Sequence, residues 1–180
     1  LEQAGCRDLA LATGMEVIRN SVGQDGMFGK YCRNSLGIPA ITIEMPPLRR
    51  GDTRNRELGD RAVLNLMRYL DMLPGAPELP AQTAIYGTAP TANATVTAEH
   101  EGFLARYCEP GTAVQAGHCV AEIFSADTFA VVQRICAPFD SAVMSLGRPP
   151  RNWGDPEQDF VNCGERIALF SVPSEIIRHS

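Results

Sequence analysis

"EGFLARYCEPGTAVQAGHCVAEIFS", residues 101–125, has a counterpart in "DSAVMSLG…FVNCGERIALFS", residues 140–171. Each copy runs from an acidic residue through a small one into a strand-like segment and a long turn. Each then reaches a glycine, as Gly117-x-x-Val120-Ala121 or Gly164-x-x-Ile167-Ala168, and enters an apolar segment that ends Phe-Ser. Short runs of β-branched and apolar residues, cut by glycine and proline, specify strands joined by turns. The same rhythm holds on either side of the repeat, in "TAIY" (83–86), "NATVTAE" (93–99) and "FAVVQRICA" (129–137), and no convincing helix intervenes. Residues 81–180 are therefore expected to form an all-β barrel or sandwich-like domain.

Upstream the rhythm is different. Residues 1–80 read as a mixed α/β region: a helical stretch at Leu9–Ala12, a glycine, then strand-like "MEVI" (15–18) and the glycine-punctuated "DGMFGKYCRNSLG" (25–37). A helix is expected from about Glu57 to Leu73, with Leu58, Ala62, Leu66, Tyr69, Leu70 and Leu73 forming one apolar face at three- and four-residue spacing. Pro74, Gly75 and Pro77 end it, and "LPGAPELPAQ" (73–82) reads as the linker between the two regions.

The net charge of −5 argues against a nucleic-acid partner, because phosphate binding needs a basic face. No apolar run approaches the roughly 18 residues that span a bilayer, and no signal-peptide pattern is present, so no membrane partner is expected. The six cysteines include no Cys-x-x-Cys pair, which removes the zinc-cluster and redox-dithiol motifs and favours reduced cysteines in a cytoplasmic protein. A homo-oligomer is left open. The chain starts at Leu1, without a methionine and inside a helix-like stretch, and is expected to be a fragment or a processed product.

The repeat, with "APFD" (137–140) between its copies, resembles the two halves of a biotinyl or lipoyl carrier domain. A swinging-arm carrier attaches its cofactor to a lysine amine. Lys30 is the single lysine among 16 basic residues and lies far from the repeat, so carrier chemistry is excluded even though the fold is similar.

In "GIPAITIEMP" (37–46), period-two alternation puts Ile41 and Ile43 on one face and Thr42 and Glu44 on the other, as in a strand that ends on a carboxylate. One reading makes Glu44 a strand-end residue paired with Arg49 or Arg50. The other makes it a proton-transfer group at the rim of a crevice, where the ends of α/β strands bind ligands. This strand, the glycine-rich loop and helix before it, "RAVLNLMRYLDMLPG" (61–75) after it and the β region together resemble the succinylglutamate desuccinylase/aspartoacylase family. That resemblance implies a zinc-carboxypeptidase-like mixed sheet followed by a β domain. It also implies hydrolysis of the amide bond of a small N-acyl amino acid. In that family the glutamate closing the matching strand is the catalytic acid/base, a role that falls on Glu44.

The family's zinc is held by a His-x-x-Glu pair and a later histidine, all before the glutamate strand. His100, His118 and His179 do not match that pattern, so the zinc ligands are expected upstream of Leu1 and not in this chain, which alone should be inactive. Arg33 and Tyr31 lie in the loop leading to the strand and are the candidates for binding the substrate, a guanidinium fork being suited to a carboxylate. The alternative from another class is a non-catalytic binding or assembly module built on the β region.

Overall fold

The structure is a computed structural model that describes residues 5–44, 53–147 and 159–179. In chain order the elements are α1 (Cys6–Ala12), β1 (Val17–Arg19), α2 (Phe28–Leu36), α3 (Thr53–Tyr69), β2 (Gln82–Tyr86), a short 3-10 turn (Pro90–Ala92), β3 (Asn93–Thr97) and β4 (Gly102–Arg106). They continue with β5 (Ala113–Val114), β6 (Cys119–Phe124), β7 (Val131–Cys136), β8 (Ser141–Leu146), β9 (Phe160–Val161), β10 (Arg166–Ser171) and β11 (Pro173–Arg178). Among the described residues there are three sheets and few helices, and contacts divide the chain into two compact units.

The first unit comprises residues 1–87 and 174–180, the second residues 88–173. By contacts the division falls after residue 87, and the last residues return to the first unit. The polar–apolar pattern of β2 and β11 says that they are strands but not which sheet they enter. In the structure β2 pairs in parallel with β1, Ile18 opposite Ile85, and β11 lies on the other side of β2. Ser174 donates to the Ile85 carbonyl and the His179 N–H to that of Ala81, so β11 runs antiparallel to β2. Ala10 of α1 joins Ile18 and Ile85 in a small core, against which Leu11, Ile41 and Ile177 pack.

A buried amide fastens α1 to α3. The Asn65 side chain, wholly buried, donates to the carbonyls of Thr13 (3.2 Å) and Glu78 (2.9 Å) and accepts from the Glu78 N–H (2.8 Å) and from Arg68 (3.2 Å). All four capacities of the amide are used, as burial of a polar group requires. Gly14 fits beneath it, because a Cβ there would lie 2.5 Å from the Glu78 carbonyl oxygen.

This fastening changes the expected face of α3. Ala62 is fully buried and Leu58, Leu66 and Leu73 are half-buried, but Tyr69 and Leu70 are exposed, and the buried stripe runs instead through Asn55, Ala62 and Asn65. The helix also ends at Tyr69 rather than Leu73. Asp71 adopts a left-handed conformation (φ 56°), and the N–H groups of Met72 and Leu73 turn back to the Met67 carbonyl, closing the helix before Pro74.

The second unit realises the sequence repeat as a pseudo-twofold. Its two four-stranded sheets have the orders β3-β10-β8-β5 and β7-β6-β4-β9. They map onto each other when β3–β6 is superposed on β7–β10. Equivalent main-chain bonds recur in the two halves. Tyr107 N–H to Val120 matches Gly147 to Ile167, and Leu104 to Asp159 matches Val143 to Thr112. Gly117 to Ala137 likewise matches Gly164 to Ala98.

The two-residue strands are exchanged: β5, from the first copy, pairs with β8 of the second, and β9 with β4 of the first. Neither half completes its sheet without the other. One core lies between the sheets, with Val120, Ile123 and Ile135 from one and Val143, Ile167 and Phe170 from the other fully buried. Burying each such side chain contributes about 1.5–3 kcal/mol. Among the described residues no helix is long and apolar enough to cross a membrane.

Candidate functional site

The residues singled out for chemistry lie in the first unit, on α2 and the segment after it. α2 ends at Gly37, whose left-handed conformation (φ 67°) lets the Ile38 N–H turn back to the Cys32 carbonyl and aims the chain outward. Residues 38–44 then run as a segment with no strand partner among the described residues, which corrects the expected strand. A ladder needs a neighbouring chain with open N–H and C=O groups, and none of the described residues supplies one here. The alternation itself is present: Ile41 and Ile43 are half-buried while Thr42 and Glu44 are exposed.

Side chains from several elements hold this segment instead of a ladder. Pro39 packs against Gly5, where an added Cβ would stand 3.1 Å from the proline ring. The Ala40 carbonyl accepts Nη1 of Arg33 at 2.9 Å and the Cys6 thiol at 3.7 Å, and Ile41 enters the small core. Arg33 also donates from Nη2 to the Val22 carbonyl (3.3 Å), tying the loop before α2 to the segment after it. Glu44 thus ends a run whose backbone is anchored at residues 39–41. Arg49 and Arg50, its alternative partners, lie outside the described residues.

Tyr31 and Arg33 do not converge. Two residues apart on a helix they are separated by about 200°, and Arg33 faces Ala40 while Tyr31 is exposed on another side. There Tyr31 lines an open concavity of about 430 Å³ with Asp25, Gly26, Phe28, Lys30, Asn34 and Ser35. Lys30 bonds Asp25 at 2.7 Å and holds that carboxyl below the usual carboxylate range, so the concavity carries a cation and an anion side by side.

The zinc implied by the family resemblance finds no fitting donor set: among the described residues no three His, Cys, Asp or Glu side chains converge to hold a metal. His100 and His118 are exposed. His179 is engaged structurally. The Thr83 hydroxyl gives its one proton to the Met15 carbonyl (3.2 Å), so His179, 3.0 Å away, donates to it from Nε2 and offers no lone pair there.

Sequence reasoning missed two clusters. One is the Asn65 fastening, for which an asparagine three residues after Ala62 on a buried stripe was the available signal. The other joins the residue after β4 to β6 and β7, where Tyr107 donates to Glu122 and Arg134 pairs with the same carboxylate at 3.0 Å. Cross-strand neighbours of that kind have no signature until the register is known.

Neither the protein-family models nor the curated protein sequences contain a match to this chain. Solved structures do match. The ectoine utilization protein EutE (DoeB) from Ruegeria pomeroyi is 18% identical with a TM-score of 0.74, over 94% of this chain and 51% of that one. A succinylglutamate desuccinylase from Silicibacter sp. TM1040 is 18% identical with a TM-score of 0.72, over 97% of this chain and 51% of that one. A succinylglutamate desuccinylase/aspartoacylase from Rhodobacter sphaeroides is 19% identical with a TM-score of 0.71, over 96% and 52% respectively. The chain has the fold found in succinylglutamate desuccinylase/aspartoacylase family proteins. It spans about half the length of the solved structures it matches.

Proposed function

We propose that this chain is the C-terminal portion of a deacylase that hydrolyses the amide bond of a small N-acyl amino acid or related compound, with Glu44 as its acid/base. The observation that carries the proposal is the shared fold over half the length of these family proteins, with an anchored segment ending on an exposed carboxylate. Glu44 takes a proton from the attacking water, and the oxygen of that water bonds to the acyl carbon. The same carboxyl then gives the proton to the amide nitrogen as the C–N bond breaks, because an amine leaves poorly unless protonated. The products are a carboxylic acid and a free amino compound. Zinc belongs to the proposal through ligands carried by the part of the longer protein outside this chain.

Arg33 and Tyr31 enter the proposal on the substrate side. Arg33 supplies a planar guanidinium, the group suited to a substrate carboxylate. Tyr31 and Lys30 flank the concavity. In the longer protein, Glu44→Gln should lower kcat by roughly 10²-fold or more with little change in KM, the usual scale for a general acid–base group. A fully active Glu44→Gln enzyme would remove Glu44 from the chemistry.

The second reading, a non-catalytic binding or assembly module, is favoured by the self-contained core of residues 88–173. Zinc content and deacylase activity of the longer protein separate the two. Bound zinc with turnover supports the enzyme, and their joint absence supports the module.

A further inference from the structure

Cys119 on β6 and Cys136 on β7 are register partners. The Ala137 N–H bonds the His118 carbonyl at 2.9 Å, just beyond the pair, which makes Cys119 and Cys136 a non-hydrogen-bonded pair of the antiparallel ladder. Such pairs hold their Cα atoms about 4.5 Å apart and their side chains on the same face. A disulfide needs roughly 4.4–6.8 Å. Immediately after Cys119 a bulge turns both Val120 and Ala121 into the core opposite Ile135, which leaves Cys119 and Cys136 together on the outer face. Both are partly exposed and neither is bridged.

The fold does not require cysteine at either place. The pseudo-twofold equivalents are Arg166 and Thr97, which are also register partners followed by a bulge. Elsewhere in the described strand ladders no two cysteines stand opposite each other. Cys6 and Cys32 are buried, Cys108 packs against the core, and Cys163 donates to the Glu99 carbonyl. Burial and the neighbouring Cys136 push the Cys119 thiol up, so it rests protonated near neutral pH.

We propose that Cys119 and Cys136 are a redox modification site, converted reversibly to an intramolecular disulfide by exchange with a small disulfide of the glutathione class. One cysteine attacks the oxidant as its thiolate, forming a mixed disulfide and releasing one glutathione thiol. The other attacks that mixed disulfide, forms the Cys119–Cys136 bond and releases the second. The two protein thiols are oxidised, the glutathione disulfide is reduced, and the two protons leave on the released thiols. The bond ties β7, an edge strand among the described residues, to its neighbour β6.

The test incubates the whole folded chain with glutathione disulfide, alkylates the remaining thiols and maps the peptides by mass. Alkylatable thiols should fall from six to four, with one linked peptide pair containing Cys119 and Cys136 and full recovery on adding a dithiol reductant. Cys119→Ser and Cys136→Ser should each abolish the link and leave a glutathione adduct on the remaining partner. A chain that keeps six free thiols, a stable glutathione adduct on the unmutated protein, or a link between other cysteines would each overturn the proposal.

Discussion

Replacing Asn65 with alanine isolates the amide that fastens α1, α3 and residues 74–80 together. The substitution strands the Thr13 carbonyl, which sits in a residue only 3% exposed, and an unpaired buried acceptor costs about 1–3 kcal/mol. The Glu78 N–H and C=O border solvent and recover water, so each loses only the net value of its bond, about 1 kcal/mol. Alanine's better helix propensity returns about 0.6 kcal/mol. The expected loss is about 2–4 kcal/mol. Urea unfolding followed by the helical circular-dichroism signal reads it directly, because every described α-helix lies in the first unit. A loss below about 1 kcal/mol would refute the reasoning, since it would mean that water replaces the amide at Thr13.

Gly14→Ala should destabilise the same unit by about 2 kcal/mol or more, since φ is +73° and the new Cβ would meet Glu78 O at 2.5 Å and Asn65 Nδ2 at 2.7 Å. In an Asn65→Ala background its added cost should shrink, and strict additivity in the double-mutant cycle would contradict a shared fastening. Arg33→Lys replaces a two-ended fork by a single ammonium that cannot hold the Ala40 and Val22 carbonyls together, so proteolytic cleavage within residues 38–44 should quicken while cleavage within β1 is unchanged. The hydrogen bond to Glu122 pushes the Tyr107 hydroxyl above the ordinary tyrosine range, and burial does the same for Tyr86. The contribution of the Tyr107 bond is complete below the unfolded tyrosine pKa and is lost as pH rises through the higher folded value. Tyrosinate absorbance of Tyr107→Phe should therefore lack one of two late-ionising groups, and an unchanged titration would show that the bond does not form.

The β unit was legible because glycine, a gap of two residues and a pair of apolar ones recur at Gly117–Ala121 and Gly164–Ala168, each opening a strand with a buried face. The exchange of β5 and β9 was not, since a two-residue strand inside a long turn carries no period. The segment 37–44 marks the limit differently. Its alternation correctly separated Ile41 and Ile43 from Thr42 and Glu44, but periodicity reports which way side chains face and is silent on whether a neighbouring chain completes the ladder. The end of α3 was misjudged for a related reason. Apolar spacing continued through Leu70 and Leu73, while the turn at Asp71 depended on backbone bonds to Met67 that no pattern announces.

The two units treat their apolar surface differently, and that bears on Glu44. Residues 88–173 enclose a core whose central side chains are completely covered. In the first unit Phe28 is 81% exposed, and Tyr31, Leu36 and Ile38, on α2 and at the start of the segment that ends in Glu44, are each more than half exposed. Three residues of that segment are anchored by Gly5, Cys6, Arg33 and the small core, so its direction is set while its outer side is open. Under the proposed reading, the remainder of a family-length protein would cover these side chains and supply the missing ladder partner for residues 38–44. Burial of the apolar neighbours would then withdraw bulk water from around the Glu44 carboxylate, which keeps a transferred proton between the reacting groups. The anchoring contributed by this chain and the desolvation contributed by the rest would be separate parts of one site.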